Sequence, residues 1–188
     1  MVKEEIDRKG IFMNKIKAIY PLSKSPLNEQ EFDESIFMEF YDKKISNDEL
    51  FKYYLFQIHR HIRRLKVDQG KLYIDKNTEL ASSYTIPMSD FVSGIFFETE
   101  IIKKMVSKSH VYEWRVHRKN FNPRGIFFPY DSYLLEKHPG LIYCYGFIKN
   151  YEYDPTQKYV EKTQLIRDKF YNNEMDDTYI GEEIVDYD

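Results

Sequence analysis

The sequence predicts an α+β fold: an N-terminal αα-hairpin packed with a mixed or antiparallel sheet of four to five strands, and two further helices. Two segments with helical periodicity follow one another between residues 29 and 66, and strand-like segments begin after them. Helices and strands do not alternate as regular β-α-β units. An aromatic core is expected, because Tyr, Phe and Trp make up 17% of the 188 residues.

Length and charge predict one domain with an acidic end. We expect a single globular domain over residues 1–169 and an acidic C-terminal tail over residues 170–188. The tail holds seven acids and no Lys or Arg, whereas all 28 basic residues precede it. Such a tail is usually solvated. The alternative is a tail docked on a basic surface of its own chain or of a partner, since apolar residues interrupt the acids.

The N-terminal hairpin is predicted from two amphipathic segments. The first helix is expected over residues 29–43, with Asn28 as its N-cap, because apolar residues recur there at helical spacing. The second is expected over residues 46–66, where Ser46 and Glu49 have the spacing of a capping box. The short connection between them indicates antiparallel neighbours.

Strands are predicted from alternating or continuous apolar runs. The run at 141–148 is apolar on both faces, which indicates a central strand covered on both sides. Pro87 is expected to end the second predicted strand. The predicted strands cover residues 71–75, 80–86, 111–118, 126–129 and 141–148.

The two further helices are predicted at 90–106 and at about 154–170. In the first, apolar residues fit a period of 3.6 better than a period of 2, although Gly94 lowers its helix propensity. Glu98 and Glu100 are then interpreted as part of a helix surface. The second begins at Pro155, a favoured residue at a helix start.

Composition argues against three classes of protein: disulfide or cysteine-zinc proteins, secreted proteins and membrane proteins. Cys144 is the only cysteine, so no disulfide or cysteine zinc site forms within one chain, and a buried, inert thiol is expected. The first residues carry both charge signs, unlike a secretory signal. The longest apolar run falls short of the about 20 residues that span a membrane. We therefore expect a cytoplasmic protein without a membrane partner, or one inside a host cell, because richness in Lys, Ile, Asn, Tyr and Phe suggests the AT-rich genome of a virus or mobile element.

Two basic stretches raise a nucleic-acid hypothesis. They are the helix end at 59–66 and the segment at 115–124, where cations could neutralise phosphates. The simpler interpretation is a solvated helix end and a strand whose aromatic residues face the core. The hypothesis gains weight only if the two stretches meet in space. Its candidate residues are Arg60, Arg63, Arg64, Arg115, Arg118, Lys119 and Arg124.

One strand face raises an enzyme hypothesis. Glu113, Arg115 and His117 alternate with apolar residues and therefore project together, as in one wall of an active site. The simpler interpretation is a solvated sheet face. Glu113 and His117 are the secondary catalytic candidates, for a small hydrolase or nuclease. No phosphate-binding glycine loop or serine-hydrolase motif is found, and no metal and no cofactor are predicted.

The leading hypothesis is a non-catalytic protein-interaction or assembly component. It is based on the absence of any catalytic set in the sequence and on the abundance of tyrosine, which is enriched at protein interfaces. A protein partner is therefore expected. The sequence leaves the identity of that partner and the oligomeric state open.

Overall fold

The computed structural model describes residues 13–27, 33–108, 110–118, 121–131 and 138–185. Its strands are β1 (Asn14–Lys15), β2 (Ala18–Pro21), β3 (Lys66–Asp68), β4 (Lys71–Tyr73), β5 (Ser83–Ser89), β6 (Phe96–Lys104), β7 (Tyr112–Arg115), β8 (Pro123–Tyr130) and β9 (Gly140–Ile148). Its α-helices are α1 (Phe37–Phe40), α2 (Glu49–Ile62) and α3 (Thr156–Tyr171). A π-helical turn (Tyr41–Ile45) follows α1, and a 3-10 turn (Asp177–Tyr179) follows α3.

The strands form two sheets. The main sheet has six strands in the order β2-β9-β8-β7-β6-β5, and its neighbours are antiparallel except for the parallel pair β2 and β9. The smaller sheet has three antiparallel strands in the order β1-β3-β4. The mixed α+β class is therefore confirmed. The predicted single sheet of four to five strands and the predicted N-terminal hairpin are not.

Helices cover both faces of the main sheet. On one face, Phe51 and Ile58 of α2 belong to the same buried cluster as Trp114 and Tyr143. On the other face, α3 packs on β8 and β9, and its Phe170 ring lies 5.5 Å from that of Phe128. Aromatic rings thus fill both layers, as the composition predicts.

Strand β9 has the position that its sequence predicts. It pairs with β2 on one side and β8 on the other, and its residues are buried up to Phe147. Gly146 is required where α1 crosses this strand, because a Cβ at that position would overlap the ring of Phe40.

The helix predicted over 90–106 is wrong. Residues 90–95 form a tight turn between β5 and β6, in which Gly94 has φ +68° and Asp90 accepts hydrogen bonds from the amides of Val92 and Ser93. Residues 96–104 are strand. Pro87 lies within β5 instead of ending it, which is possible because β5 is an edge strand and Pro lacks a ladder donor.

The first two helices differ from their predicted bounds. Asn28 and residues 29–32 lie outside the described residues, and the helix present there begins at Phe37. Helix α2 is capped by Asp48, which accepts from the amides of Leu50 and Phe51, whereas Ser46 donates to the carbonyl of Asp42. The last helix agrees closely with the prediction over 154–170.

Part of the acidic tail packs on its own chain. Ile180 and Ile184 are buried, and residues 179–184 run back along β2. The tail therefore follows the docked alternative over this stretch, while the domain boundary at residue 169 stays a prediction. Within the described ranges, no helix is both long and apolar enough to cross a membrane.

Candidate functional site

The polar face of β7 opens into a groove of about 510 Å³. Arg115 and Arg124 are paired across β7 and β8, and Arg124 faces Phe147 of β9, which packs against α3. The groove therefore lies on the α3 side of the sheet, over β6, β7 and the start of β8. We call it the charged groove; it is lined by Glu98, Thr99, Glu100, Arg115, His117, Arg124 and Lys149.

An alternating network of charges forms the floor of the charged groove. Arg124 Nε lies 3.1 Å from Glu113 Oε1, and both side chains are 5% exposed. Arg115 pairs with Glu100 and lies 3.9 Å from the second carboxylate oxygen of Glu113. Burial raises the pKa of Glu113, and the charge of Arg124 opposes that shift. Positive and negative groups thus alternate from β6 to β8.

This geometry changes the roles expected from the sequence. Glu113 is 4% exposed and pairs with the Arg124 guanidinium, so it is placed to hold that group and is not itself open to substrate. His117 is exposed at the groove, beside Arg115. Glu100 of β6 completes the constellation, and the sequence reasoning missed it because that segment was predicted as helix.

The basic candidates are mostly neutralised within the chain. Arg63 donates to the carbonyls of Lys17 and Ile184 and lies 3.8 Å from Glu183. Arg118 pairs with Asp90, while Arg115 and Arg124 pair with the groove carboxylates. Arg60 and Arg64 are exposed on α2 and the turn after it, and Lys119 lies outside the described residues.

Over the residues that the structure describes, the two basic stretches do not form one surface. Arg63 donates to the carbonyl of Lys17, which directly precedes β2, and Arg118 pairs with Asp90, which directly follows β5. Strands β2 and β5 are the opposite edges of the main sheet. Nucleic-acid binding therefore stays a prediction that lacks the continuous basic surface on which it would depend.

A cluster of exposed apolar side chains lies at the end of the β5–β6 hairpin. Phe91, Val92, Ile95 and Phe96 are 45%, 90%, 70% and 73% exposed, and we call them the apolar tip. Several large apolar side chains exposed on one turn are typical of an interaction site. The sequence reasoning missed it by assigning these residues to a buried helix stripe; the Ser93-Gly94 pair after Asp90 is the turn signal that could have found it.

Contacts with α2 hold the base of the apolar tip. Gln57 bonds both backbone groups of Ser89, and the Tyr53 ring lies 5.2 Å from that of Phe91. Hydrogen bonds from Ser93, together with the charge of Arg118, lower the pKa of Asp90 to about 2. The turn is therefore anchored by an ionised carboxylate and by α2.

The structure also shows the surroundings of the single cysteine and of the metal-ligating residue types. Cys144 is buried in β9, and burial raises the pKa of its thiol, so the thiolate needed for nucleophilic chemistry is disfavoured. Among the residues that the structure describes, no group of three or more His, Cys, Asp or Glu is placed to hold a metal ion.

Comparisons with protein-family models, with curated proteins and with solved structures found no match to this chain. Function is therefore inferred from the geometry of the apolar tip and of the charged groove.

Proposed function

We propose that the protein is an interaction component that docks its apolar tip into an apolar pocket of a protein partner. The observation that carries this proposal is the exposure of four large apolar side chains on one ordered turn. Burying each such side chain contributes about 1.5–3 kcal/mol. Because the turn is already anchored by Asp90 and by α2, little conformational entropy is lost when it docks.

Charge around the apolar tip favours a protein partner over a membrane. Residues 87–102 contain no Lys or Arg, and of their three acids Asp90 pairs with Arg118, Glu100 pairs with Arg115 and Glu98 faces the charged groove. Segments that bind anionic membranes are instead rich in basic residues. The complementary surface is an apolar pocket with a basic rim, which Glu98 at the base of the hairpin would face.

The test replaces Val92 and Ile95 together by Asp. Because both side chains are exposed, we expect the stability of the double variant to stay within about 0.5 kcal/mol of the original. Partner binding should be lost. The matched control is Val106→Asp, which places a charge on a 96% exposed valine in the β6–β7 turn, away from the apolar tip.

The original chain, the double variant and the Val106→Asp variant are each immobilised and used to retain proteins from an extract of the producing cells. Each retained protein is then purified and titrated against the three chains. A partner that binds the original and the Val106→Asp variant, but not the double variant, supports the proposal. Equal binding to all three contradicts it. Two other outcomes also overturn the proposal. If the original chain self-associates and the double variant does not, the apolar tip binds a second copy. If the original chain binds phosphatidylglycerol vesicles and the double variant does not, the apolar tip binds a membrane.

A small hydrolase is the second candidate, favoured by the opening of the charged groove. His117 and Glu100 offer a base and a carboxylate, and two guanidinium groups could stabilise developing negative charge. The test is the Glu100→Gln, His117→Ala double variant, assayed on phosphodiester and ester substrates. An activity that persists at its original level in this variant eliminates the groove as its source.

A further inference from the structure

A second pocket, of about 370 Å³, lies between the first half of α2, the π-helical turn before it and the C-terminal segment. This volume falls within the range of about 300–1,000 Å³ that is typical of small-molecule sites. The pocket shares no residue with the apolar tip or with the charged groove. We call it the α2 pocket; it is lined by Tyr41, Ile45, Ser46, Lys52, Leu55, Phe56 and Val185.

The interior of the α2 pocket is apolar and is continuous with the core. Ile45 and Leu55 are 0% and 4% exposed, and both belong to the buried cluster on the α2 side of the sheet. Tyr41 and Phe56 are half-buried and add two aromatic rings to the lining. Because protein interiors are close-packed, an opening of this size beside core residues forfeits packing contacts. The apolar body of a ligand restores those contacts.

The π-helical turn supplies one side of the α2 pocket. The amide of Ser46 donates to the carbonyl of Tyr41 at 2.9 Å, and the Ser46 hydroxyl donates to the carbonyl of Asp42 at 2.7 Å. Tyr41 and Ile45, the first and last residues of this turn, both line the pocket. Turns of this type are rare and are frequent at functional sites, which is a second and independent indication of a binding site.

A lysine gives the α2 pocket a preference for anions. Among the described residues that line the pocket, Lys52 alone is charged. Its Nζ lies 3.1 Å from Glu49 Oε1, so the lysine is already placed to bind a carboxylate. The two side chains are 43% and 77% exposed, and such an exposed pair contributes little to stability, so a ligand carboxylate can replace Glu49 at little cost. Leu55 and Phe56 follow Lys52 by three and four residues, which places the cation and the apolar lining on one face of α2.

We propose that the α2 pocket binds a small amphipathic carboxylate. Its aromatic or medium-chain aliphatic body packs on Ile45 and Leu55, and its carboxylate pairs with Lys52. A carboxylate is favoured over a neutral molecule of the same shape, because only the carboxylate forms a charge-assisted hydrogen bond with the lysine. This inference uses none of the residues of the apolar tip, so it stands or falls independently of the proposed function.

The first test compares naphthalene carboxylate with its neutral isostere, naphthalene carboxamide, by isothermal titration calorimetry. The original chain should bind the carboxylate about threefold to tenfold more tightly than the amide. Lys52→Met should abolish this preference and retain binding of the amide. The matched control is Lys158→Met, which removes an exposed lysine of α3, on the other face of the sheet, and should change neither affinity. The proposal is overturned if neither probe binds at millimolar concentration, or if the preference for the carboxylate persists in Lys52→Met.

The second test locates the bound probe in the original chain and therefore does not depend on the folding of a variant. The methyl resonances of Ile45, Leu55 and Val185 should shift when naphthalene carboxylate is added, because these residues line the α2 pocket. Those of Val92 and Ile95 in the apolar tip should stay unchanged. Shifts confined to Val92 and Ile95 would assign the probe to the apolar tip and contradict the proposal.

A third test fills the α2 pocket and distinguishes other occupants. Ser46→Phe places a ring in the pocket and should weaken binding of both probes by about tenfold or more. If the original chain self-associates and Ser46→Phe does not, the pocket holds a second copy. If the probes bind only when Tyr187, which lies outside the described residues, is replaced by Ala, the pocket holds the chain's own C-terminal residues. Either result overturns the proposal.

Discussion

Arg124 and Glu113 neutralise each other in a site where each side chain is 5% exposed. Substitution Arg124→Met would leave the Glu113 carboxylate buried without its nearest guanidinium. We expect it to lower the free energy of unfolding by about 3–5 kcal/mol at neutral pH, the range for breaking a buried ion pair. Urea denaturation measures this loss.

A double variant separates the buried charge from the shape of the site. Glu113→Leu with Arg124→Met removes both charges and should recover most of the loss, because apolar replacements of a whole buried pair are often tolerated.

In the single variant the pKa of Glu113 rises further above 4.5. The folded variant then holds the proton more tightly than the folded original chain, so the deficit grows as pH rises above the pKa of Glu113 in the original chain. A deficit that is independent of pH contradicts this account.

His110 is a second group with a pH signature, and its side chain is half-buried. Burial, with smaller contributions from Arg167 and Lys71, lowers its pKa from 6.5 to about 4, and Arg167 donates to its Nδ1 at 2.7 Å. The folded state favours the neutral ring, so its contribution to stability is complete above pH 6.5 and is lost as pH falls towards about 4. His110→Asn removes the titration, and Asn tolerates the φ of +63° at this position.

The measurement for His110 is the midpoint of urea unfolding across that pH window. The variant should lose less stability than the original chain between pH 6.5 and about 4. His117→Asn is the control, because His117 is exposed at the charged groove. Parallel curves for the original chain and the His110→Asn variant would show that His110 does not produce the acid sensitivity.

Sequence alternation placed Glu113, Arg115 and His117 on one face, and that part of the site could be predicted because it depends only on strand geometry. The residues that pair with Glu113 and Arg115 could not be predicted from the sequence. Arg124 reaches Glu113 through the register of β7 on β8, and Glu100 reaches Arg115 through the neighbouring strand β6. Neither pairing has a local signal in the chain, so the charge network appears only once the sheet is assembled.

At the scale of elements, the start of α2 tests the capping assignment directly. Asp48 accepts hydrogen bonds from two amides of the first turn, whereas Ser46 bonds back to Asp42. Asp48→Ala should lower the free energy of unfolding by about 0.5–2 kcal/mol. Ser46→Ala should change it by less than about 0.5 kcal/mol, as an exposed substitution. Thermal unfolding of both variants distinguishes them, and a larger loss for Ser46→Ala would restore the capping box predicted from the sequence.

The helix predicted over 90–106 was wrong for a physical reason. Periodicity identifies an element only when its apolar residues are the buried ones. In this segment Phe91, Val92, Ile95 and Phe96 are exposed, and a bulge opposite Tyr84 and Thr85 disturbs the alternation of β6. Local pattern and fold disagree at the apolar tip, and such disagreement is expected where a segment serves binding instead of packing.

At the scale of the whole molecule, the α+β class and the covered position of β9 could be predicted because they follow from composition and continuous apolar runs. The number of strands and the pairing of β2 with β9 could not be predicted from the sequence. Strands β2 and β9 are separated by most of the chain, and β1, β3 and β4 are each two or three residues long. Such short elements carry too few residues for a period to be read.

The two sheets share one buried cluster, which predicts cooperative unfolding. Val67 and Leu72 of the small sheet belong to the same cluster as Trp114 of the main sheet, and the amide of Leu72 donates to the Tyr112 hydroxyl at 3.1 Å. Trp114 is the only tryptophan and is 1% exposed, so its fluorescence reports the core, whereas far-ultraviolet circular dichroism reports all elements. We expect both signals to change at one denaturant midpoint.

Leu72→Ala provides the sharper form of this prediction. The cavity it leaves should lower the free energy of unfolding by about 2–5 kcal/mol. Because the small sheet is part of the shared core, the fluorescence of Trp114 and the circular dichroism should move to lower denaturant together and by the same amount. Ile74→Ala, at a 39% exposed site just after β4, is the control and should move both signals little. If Leu72→Ala splits the transition and leaves the Trp114 midpoint unchanged, the small sheet unfolds as a separate unit.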